Sequence, residues 1–239
     1  MLKLSRLPTG DPEIFASIQG EGVTLGVPSV FVRLSLCNLH CSWPCDTAYT
    51  WDWTRYDPQD EIIRVSVEEI VQRVQRLGGA NTRHVVITGG EPLLQQRQVV
   101  PLASALQAGS YRIEVETNGT IRPHAALAAV IDQWNVSPKL ANSGNTAEER
   151  EVPEALTWFA ARPNAFFKFV VAAPEDLDEV CALAERYAIP VDRILLMPEG
   201  RDPATLQERS QWLVEQCREY GYRFTTRLHI LLWGDQRGR

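Results

Sequence analysis

From about residue 30 onward, the sequence alternates short apolar runs rich in β-branched residues with segments of helical period. The runs predict buried strands, and apolar residues at steps of three and four predict helices that pack on them. Chains of this kind form a mainly parallel sheet with crossover helices, open or partly closed into a barrel. The predicted strands cover residues 30–36, 84–88, 112–117, 134–137, 166–171, 193–197 and 223–232, and the predicted helices cover 67–77, 99–108, 124–131, 153–161, 175–187 and 204–220.

Composition narrows the class of protein further. The 239 residues are 44% hydrophobic and 23% charged, enough for one substantial core, so we expect a single α/β domain over residues 1–239. A net charge of −6 disfavours binding along a nucleic-acid backbone. The sequence has neither a long apolar run nor a signal-peptide pattern at its start. We therefore expect a soluble, cytoplasmic protein that binds no nucleic acid and no membrane.

Three of the five cysteines, Cys37, Cys41 and Cys45, lie within nine residues directly after the first predicted strand. An odd number of cysteines with three in a cluster suits a ligand set in a reducing compartment better than a set of disulfides. Cys181 and Cys217 lie in helical patterns, where a cysteine normally packs as a small hydrophobic residue.

The spacing of the three thiols leaves the type of centre open. A structural zinc site needs four protein ligands, so His40, Asp46 or His229 would have to supply the fourth. An iron–sulfur cluster also usually has four cysteines, and three would leave one iron of a [4Fe–4S] cube open to a reactant. Spacing alone favours the iron–sulfur cluster, with zinc and unligated cysteines as the alternatives.

A second motif, VVITGGEP, ends the predicted strand at residues 84–88. Gly90 would let the backbone approach a ligand, and Glu91 could accept a hydrogen bond from an ammonium group. Taken alone, the motif is better explained as a tight β–α turn with Pro92 at the start of a helix. It follows the cysteine loop by one β–α unit, however, and ligands gather at the carboxyl ends of such strands, which favours a binding site.

Together these motifs resemble those of radical S-adenosylmethionine (SAM) enzymes, specifically the 7-carboxy-7-deazaguanine synthase family of the 7-deazapurine (queuosine) pathway. The matching stretches are EIFASIQGEGVTLGVPSVFVRL, CNLHCSWPCDT and VVITGGEP, with weaker matches in IEVETNGT and NVSPKL, all within residues 13–140. One departure is Pro44, which makes the cysteine pattern Cys-x3-Cys-x3-Cys instead of Cys-x3-Cys-x2-Cys. The resemblance implies a partial (incomplete) β/α barrel of the radical SAM type with mainly parallel strands.

The resemblance also implies the cofactors. The three clustered cysteines would hold a [4Fe–4S] cluster whose remaining iron binds the amine and carboxylate of SAM. The hydroxyl of Thr47 would bind Mg²⁺ together with substrate oxygens and water; otherwise Thr47 would be a cap or turn residue. Without the resemblance, Lys139 would be interpreted as a solvated charge in a loop. The residues implied to bind SAM are Trp43, Asp46, Gly90, Glu91, Ser137, Pro138 and Lys139.

The substrate implied by the resemblance is 6-carboxy-5,6,7,8-tetrahydropterin, which loses hydrogen from C6 and contracts to 7-carboxy-7-deazaguanine with loss of ammonia. Arg33 lies on an apolar strand, so the alternative to substrate binding is that it forms a buried structural ion pair. The family also implies a homodimer and a reducing, flavodoxin-like electron donor. The residues implied to bind substrate are Ile18, Gln19, Gly20, Glu21, Arg33 and Thr88, with Glu21 also in a catalytic role.

Two other functions stay open from sequence alone. A glycyl-radical-enzyme activase would share the cluster and the Gly-Gly-Glu motif but would have no use for Arg33 or Gln19 as pterin ligands. A non-catalytic zinc or iron–sulfur module would hold zinc or a cluster inert to SAM. Residues 141–151 are polar and predict a loop, and the sequence leaves open whether the C-terminal stretch RLHILLWGDQRGR closes the pocket.

Overall fold

The structure, a computed structural model, describes residues 1–43 and 45–239. A ten-stranded sheet runs through these residues. Its strands are β1 (Leu2–Ser5), β2 (Ile14–Ile18), β3 (Pro28–Leu34), β4 (Ile62–Val65), β5 (His84–Gly89), β6 (Arg112–Thr117), β7 (Gln133–Val136), β8 (Ala165–Val171), β9 (Ile194–Pro198) and β10 (Arg223–Phe224). The helices are α1 (Pro58–Glu61), α2 (Val67–Gly78), α3 (Gln96–Ala108), α4 (Ala125–Ala128), α5 (Ala147–Arg150), α6 (Pro153–Ala160), α7 (Asp176–Arg186), α8 (Pro203–Tyr220) and α9 (Leu228–Trp233).

The strand order is β10-β9-β8-β7-β6-β5-β3-β1-β4, with β2 paired to β3 beside this path. All neighbours from β3 to β10 are parallel, whereas β1, β2 and β4 pair antiparallel. Within residues 1–43 and 45–239 no pairing joins β10 to β4, so the sheet is an incomplete barrel. The predicted α/β architecture with mainly parallel strands is confirmed.

Side chains alternate between the two faces of each parallel strand. In β6, Ile113 and Val115 belong to the apolar core that the helices cover, whereas Glu114 and Glu116 lie on the opposite, concave face. In β8, Phe167 and Phe169 belong to that same core, which puts Lys168 between them on the concave face. Burial of the apolar face therefore directs charged side chains into the interior of the partial barrel.

The helix predicted at residues 204–220 is confirmed as α8. Asp202 caps this helix, because its carboxylate accepts hydrogen bonds from the backbone N–H (2.9 Å) and hydroxyl (2.7 Å) of Thr205, and Pro203 occupies the first turn. The helix ends at Gly221, which has a left-handed backbone conformation with φ of +73°. Among the described helices, none combines the length and apolar composition that a membrane crossing requires.

Two of the predicted elements are wrong. Residues 223–232 form only the short edge strand β10 and then α9, in which Ile230 is buried while Leu231 and Leu232 are exposed, a helical pattern of burial that a run of apolar residues does not reveal. The predicted loop at residues 141–151 contains α5, started by a reciprocal capping box between Thr146 and Glu149. The predicted helix at 124–131 shortens to α4, and the antiparallel strands β1, β2 and β4 were not predicted.

Candidate active site

A cavity of about 470 Å³ opens at the carboxyl ends of the parallel strands. The cysteine loop borders it on one side, and residues of the C-terminal segment line it as well. Polar side chains from the concave face of the sheet reach it from below. Of the residues predicted for the site, those that line the cavity are Gln19, Gly20, Glu21, Arg33, Cys37, Cys41, Trp43, Cys45, Asp46, Thr47, Thr88, Gly90, Ser137 and Lys139.

All three loop cysteines are free thiols that line this cavity. Burial raises the pKa of the Cys37 thiol to about 12 and also raises the pKa of Cys41, since a thiolate would lose its hydration there. The Sγ atom of Cys37 accepts a hydrogen bond from the backbone N–H of Leu39 at 3.5 Å. A positively charged centre would be needed to hold these sulfurs as thiolates.

Three cysteine thiols are the donor type of an iron–sulfur cluster, in which each thiolate would bind a different iron. In the part of the chain that the structure describes, no three His, Cys, Asp or Glu side chains converge as ligands of one metal ion. The proposed fourth zinc ligands have other contacts: His40 stacks on Trp51 at 4.9 Å, Asp46 pairs with Arg227, and His229 Nε2 lies 4.0 Å from Glu21.

The Gly-Gly-Glu motif touches the cysteine loop directly. A Cβ atom at Gly90 would overlap the carbonyl oxygen of Leu36 and crowd Cys37, so only glycine allows β5 to end this close to the first cysteine. The backbone N–H of Glu91 donates to that same carbonyl at 2.7 Å. The motif therefore fixes the cysteine loop against the sheet while Gly90 faces the cavity.

Glu91, which the sequence predicts to bind the amine of SAM, makes its contacts with the ends of two strands. The carboxylate is fully buried and does not line the cavity. It accepts hydrogen bonds from the backbone N–H groups of Leu93 (2.9 Å) and Asn118 (2.7 Å) and from the Thr117 hydroxyl (2.9 Å). Burial nevertheless raises the pKa of this carboxyl. The geometry gives Glu91 the task of joining the end of β5 to the end of β6.

The segment after β7 reaches the cavity through two of its three predicted residues. Lys139 Nζ donates to the carbonyl oxygen (3.1 Å) and hydroxyl oxygen (3.2 Å) of Ser137, which folds the ammonium group over the strand end. Pro138 is buried and does not line the cavity. Ile18 lies in β2 and does not line the cavity either. Pro44, the departure from the family pattern, lies outside the described residues.

Glu21 lies at the centre of an ionic cluster on the floor of the cavity. Its carboxylate pairs with Lys168 and, at 3.1 Å, with Arg227 Nε. Burial alone would raise the pKa of this carboxyl, but the two cations outweigh burial and hold the pKa well below its usual range. Arg227 also pairs with Asp46, which connects the floor to the cysteine loop. Glu21 is therefore a permanent anion in the folded protein.

Gln19 holds other side chains in place. Its amide nitrogen donates to Glu114 at 2.7 Å and to Glu116 at 3.2 Å, and its amide oxygen accepts from the backbone N–H of Glu21 at 3.1 Å. Thr88 likewise donates to Glu116 at 2.6 Å. Burial raises the pKa of Glu116, which lines the cavity. Glu116 is therefore held by Gln19 and Thr88, two residues predicted to bind substrate, and its carboxyl group is accessible to a ligand in the cavity.

Arg33 forms a buried ion pair and also lines the cavity. Its Nε atom donates to the fully buried carboxylate of Glu13 at 2.7 Å, which is the structural ion pair. Arg33 also lines the cavity, and since this bond uses Nε, the two terminal amino groups stay available for a ligand. Glu13 has two further partners, the Tyr49 hydroxyl at 3.0 Å and Arg237 Nε at 3.1 Å.

The C-terminal segment lies against the cavity. Arg237, in the C-terminal segment, pairs with Glu13 and, at 2.8 Å, with Glu61. Its guanidinium carbon lies 3.5 Å from the centre of the Tyr49 ring. The backbone N–H of Leu228 donates to the carbonyl of Gly20 at 2.9 Å. The question left open by the sequence is thereby answered, because residues 235–239 line the pocket.

Comparison with known proteins explains this architecture. Residues 32–205 match the model of the radical SAM superfamily. The chain is 42% identical over 229 residues to a 7-carboxy-7-deazaguanine synthase of Pyrobaculum aerophilum, an alignment that covers 95% of this chain and 96% of that protein. The chain belongs to the 7-carboxy-7-deazaguanine synthase family of radical SAM enzymes. It is also 40% identical over 247 residues to a 7-carboxy-7-deazaguanine synthase of Halobacterium salinarum, covering 93% of this chain and 90% of that protein.

The family resemblance extends to solved structures. The crystal structure of QueE from Escherichia coli superposes with a TM-score of 0.69 at 27% identity, covering 95% of this chain and 94% of that one. The structure of TYW1 with a lysine–pyruvate adduct bound has the same fold at 13% identity, with a TM-score of 0.56. The partial barrel is thus the radical SAM fold. Membership of this superfamily implies a [4Fe–4S] cluster and SAM, which the three thiols suit.

Several residues of the site were not singled out from the sequence. Lys168 lies in AFFKFVV and is the one charge in an otherwise apolar strand, so the pattern that drew attention to Arg33 could have identified it. Glu116 lies in RIEVET, where apolar and charged residues alternate, and this pattern does not single out Glu116 from Glu114. Arg227 and Arg237 have no comparable signal, because each lies in an irregular segment far along the chain from its partners.

Proposed function

We propose that this enzyme converts 6-carboxy-5,6,7,8-tetrahydropterin to 7-carboxy-7-deazaguanine with loss of ammonia. The observation that carries the proposal is the polarity of the cavity beside the three cysteines. One wall offers the guanidinium of Arg33, and the floor offers the carboxyls of Glu21 and Glu116. A flat heterocycle with a carboxylate at one end and N–H donors at the other matches this distribution of charge.

Each end of the substrate has its own partners in this arrangement. The terminal amino groups of Arg33 receive the substrate carboxylate, since the guanidinium is positioned through Nε by Glu13. Glu116 and Glu21 accept from the amino and ring N–H groups of the pterin. Gln19 supports this arrangement, because its amide nitrogen donates to the Glu116 carboxylate and its amide oxygen accepts from the backbone N–H of Glu21. Substrate specificity then depends on carboxyl groups from β6 and from the loop after β2.

The other side of the cavity holds the cofactors. Cys37, Cys41 and Cys45 would hold the [4Fe–4S] cluster, and Gly90 and Lys139, which line the same cavity, would contact SAM. Together these cofactors would supply the radical chemistry for removal of hydrogen from C6 of the substrate. The chain contributes position and exclusion of water, since residues 235–239 of the C-terminal segment line the same cavity.

Thr47 is proposed to bind Mg²⁺. Its hydroxyl lies 3.6 Å from the Sγ atom of Cys45, and Thr47 lines the cavity, so it could supply one oxygen ligand to the ion. One hydroxyl cannot hold Mg²⁺ alone, and binding therefore requires oxygens of the substrate and water. We further propose that residues 1–239 form one catalytic domain, that the enzyme is a cytoplasmic homodimer, and that a flavodoxin-like protein reduces it.

The test is turnover by anaerobically reconstituted enzyme with reductant, SAM, Mg²⁺ and the carboxytetrahydropterin. We expect to detect the deazaguanine product by mass spectrometry. Chelation of Mg²⁺ should abolish product formation, and addition of Mg²⁺ should restore it. Formation of 5′-deoxyadenosine with no deazaguanine would refute this substrate and favour another radical function, such as a glycyl-radical-enzyme activase. Product formation that is unaffected by chelation would refute the role of Thr47.

A further inference from the structure

Asn145 contacts the cysteine loop from a segment outside it. The side chain is 8% exposed, and its amide nitrogen lies 3.4 Å from the Sγ atom of Cys41. Its amide oxygen accepts the backbone N–H of His40 at 3.0 Å. Asn145 therefore contacts both Cys41, one of the three predicted cluster ligands, and His40, the residue that precedes it.

The hydrogen bond to His40 decides which end of the Asn145 amide faces the sulfur. A backbone N–H can only donate, so the atom that faces His40 must be the oxygen. The NH₂ group consequently points at Cys41 and has protons to donate. The Ser143 hydroxyl, 3.1 Å from the same nitrogen, can take one of them and leaves the other for the thiolate.

The surrounding contacts hold Asn145 rigidly. The backbone N–H of Ser42 donates to the carbonyl oxygen of Ser143 at 2.8 Å, and a Cβ atom at Gly144 would overlap the Ser42 side chain. Arg150 donates to the carbonyl oxygen of Asn145 at 3.3 Å and is itself paired with Glu179. The segment that its polar composition suggested to be a loop is thus packed against the cysteine loop.

Hydrogen bonds to the sulfurs are one of the means by which a protein sets the reduction potential of an iron–sulfur cluster. A donated N–H stabilises negative charge on the ligating sulfur, and this stabilisation increases when the cluster gains an electron. The donor therefore favours the reduced cluster and raises its potential. Cys37 receives a backbone N–H from Leu39, which side-chain substitution cannot remove.

We infer that Asn145 tunes the reduction potential of the cluster by donating its amide N–H to the Cys41 thiolate, which eases electron transfer from the donor. Asn145 does not touch the substrate and acts through Cys41. The inference rests on the radical SAM cluster and not on the identity of the pterin, so it holds or fails independently of the proposed substrate.

The test is an EPR-monitored redox titration of the reconstituted full-length enzyme without substrate. Asn145→Leu keeps the shape of the side chain and excludes water but removes the donor, and we expect its midpoint potential to be lower than that of the wild type. Ser42→Ala is the matched control, because it removes a hydroxyl bond to the carbonyl oxygen of Ser143 in the same contact without affecting a sulfur. Its potential should equal that of the wild type.

An unchanged midpoint potential in Asn145→Leu would overturn the inference, as would an equal shift in Ser42→Ala, which would indicate general loosening of the loop. If the leucine variant assembles no cluster, Asn145→Ala provides the same comparison with a smaller side chain and must also show the lower potential. Failure of the proposed function has a different signature, in which the wild-type cluster titrates and cleaves SAM but yields no deazaguanine.

Discussion

Replacing Glu91 with glutamine distinguishes a carboxylate that binds SAM from one that stabilises the fold. As a ligand of the SAM amine, it could be replaced by glutamine with loss of cofactor affinity and little change in stability. The structure instead buries its carboxylate among three donors: the backbone N–H groups of Leu93 and Asn118 and the hydroxyl of Thr117. Glu91→Gln should therefore lower the free energy of unfolding.

The size of the effect follows from which donors keep a partner. Glutamine has one acceptor oxygen, so its NH₂ group must face one of the two backbone N–H groups. A buried donor left without a partner costs about 1–3 kcal/mol. Part of this is offset, because burial raises the pKa of Glu91 and a neutral amide avoids the cost of burying a charge. We expect a net loss of about 2 kcal/mol, a large part of a typical total of about 5–15 kcal/mol.

The assay is urea unfolding followed by tryptophan fluorescence, with SAM affinity measured by calorimetry on the reconstituted protein. The matched control is Asp202→Asn, which also replaces an N-cap carboxylate by its amide but at an exposed helix start. Asn and Asp cap helices about equally well, so this control should stay within about 0.5 kcal/mol of the wild type.

A Glu91→Gln protein as stable as the wild type but with weakened SAM binding would refute this reasoning. The carboxylate would then contact the cofactor, and the network seen around it would contribute little. A loss of stability equal in both variants would mean that any N-cap amide destabilises the fold, which would also contradict the special position of Glu91.

Three further predictions follow from the charged groups of the cavity. Arg33→Ala should abolish turnover but retain the cluster and SAM cleavage, because Glu13 keeps its other partners; iron content and 5′-deoxyadenosine formation check this, and a protein without iron would contradict it. Arg237→Ala removes two ion-pair contacts, worth about 3 kcal/mol in total, so hydrogen exchange of the backbone amides in residues 228–239 should become about 100-fold faster. Arg239→Ala is the control and should not change these exchange rates. Unaltered exchange in Arg237→Ala would refute the role of Arg237 in holding the C-terminal segment. Because the pKa of Glu21 is lowered in the folded protein, its ionised form stabilises the fold above about pH 4.5, and this stabilisation is lost as the pH falls. The difference in melting temperature between the wild type and Glu21→Gln should therefore be largest at pH 7 and shrink toward pH 3. A difference that does not depend on pH would contradict the lowered pKa.

Much of the fold was predictable because burial leaves a periodic trace in sequence. The parallel strands and their helices each bury one continuous face, so β5 and α8 were predicted within a residue or two. The N-terminal antiparallel strands are short, and two of them lack the helical segments on either side that mark the others. α9 exposes two of its leucines, and its apolar residues are equally compatible with a strand.

The site was predictable where its chemistry is local and not where it depends on strand register. Cys37, Cys41 and Cys45 are close in sequence, so the loop alone favours an iron–sulfur cluster over zinc and unligated cysteines. Glu116 and Lys168 meet the cavity because strands 28–34, 84–89, 112–117 and 165–171 end at one edge, which only the folded sheet shows. Two of the three partners of Glu91, Thr117 and Asn118, come from the end of a different strand, so the motif alone does not reveal that its carboxylate is buried.

In the proposed reaction, a radical from SAM removes hydrogen from C6 of a carboxytetrahydropterin bound in the cavity. The most direct test uses substrate carrying deuterium at C6, with analysis of both products by mass spectrometry. We expect deuterium in 5′-deoxyadenosine together with 7-carboxy-7-deazaguanine. Formation of 5′-deoxyadenosine that contains no deuterium, while the substrate is recovered unchanged, would contradict it.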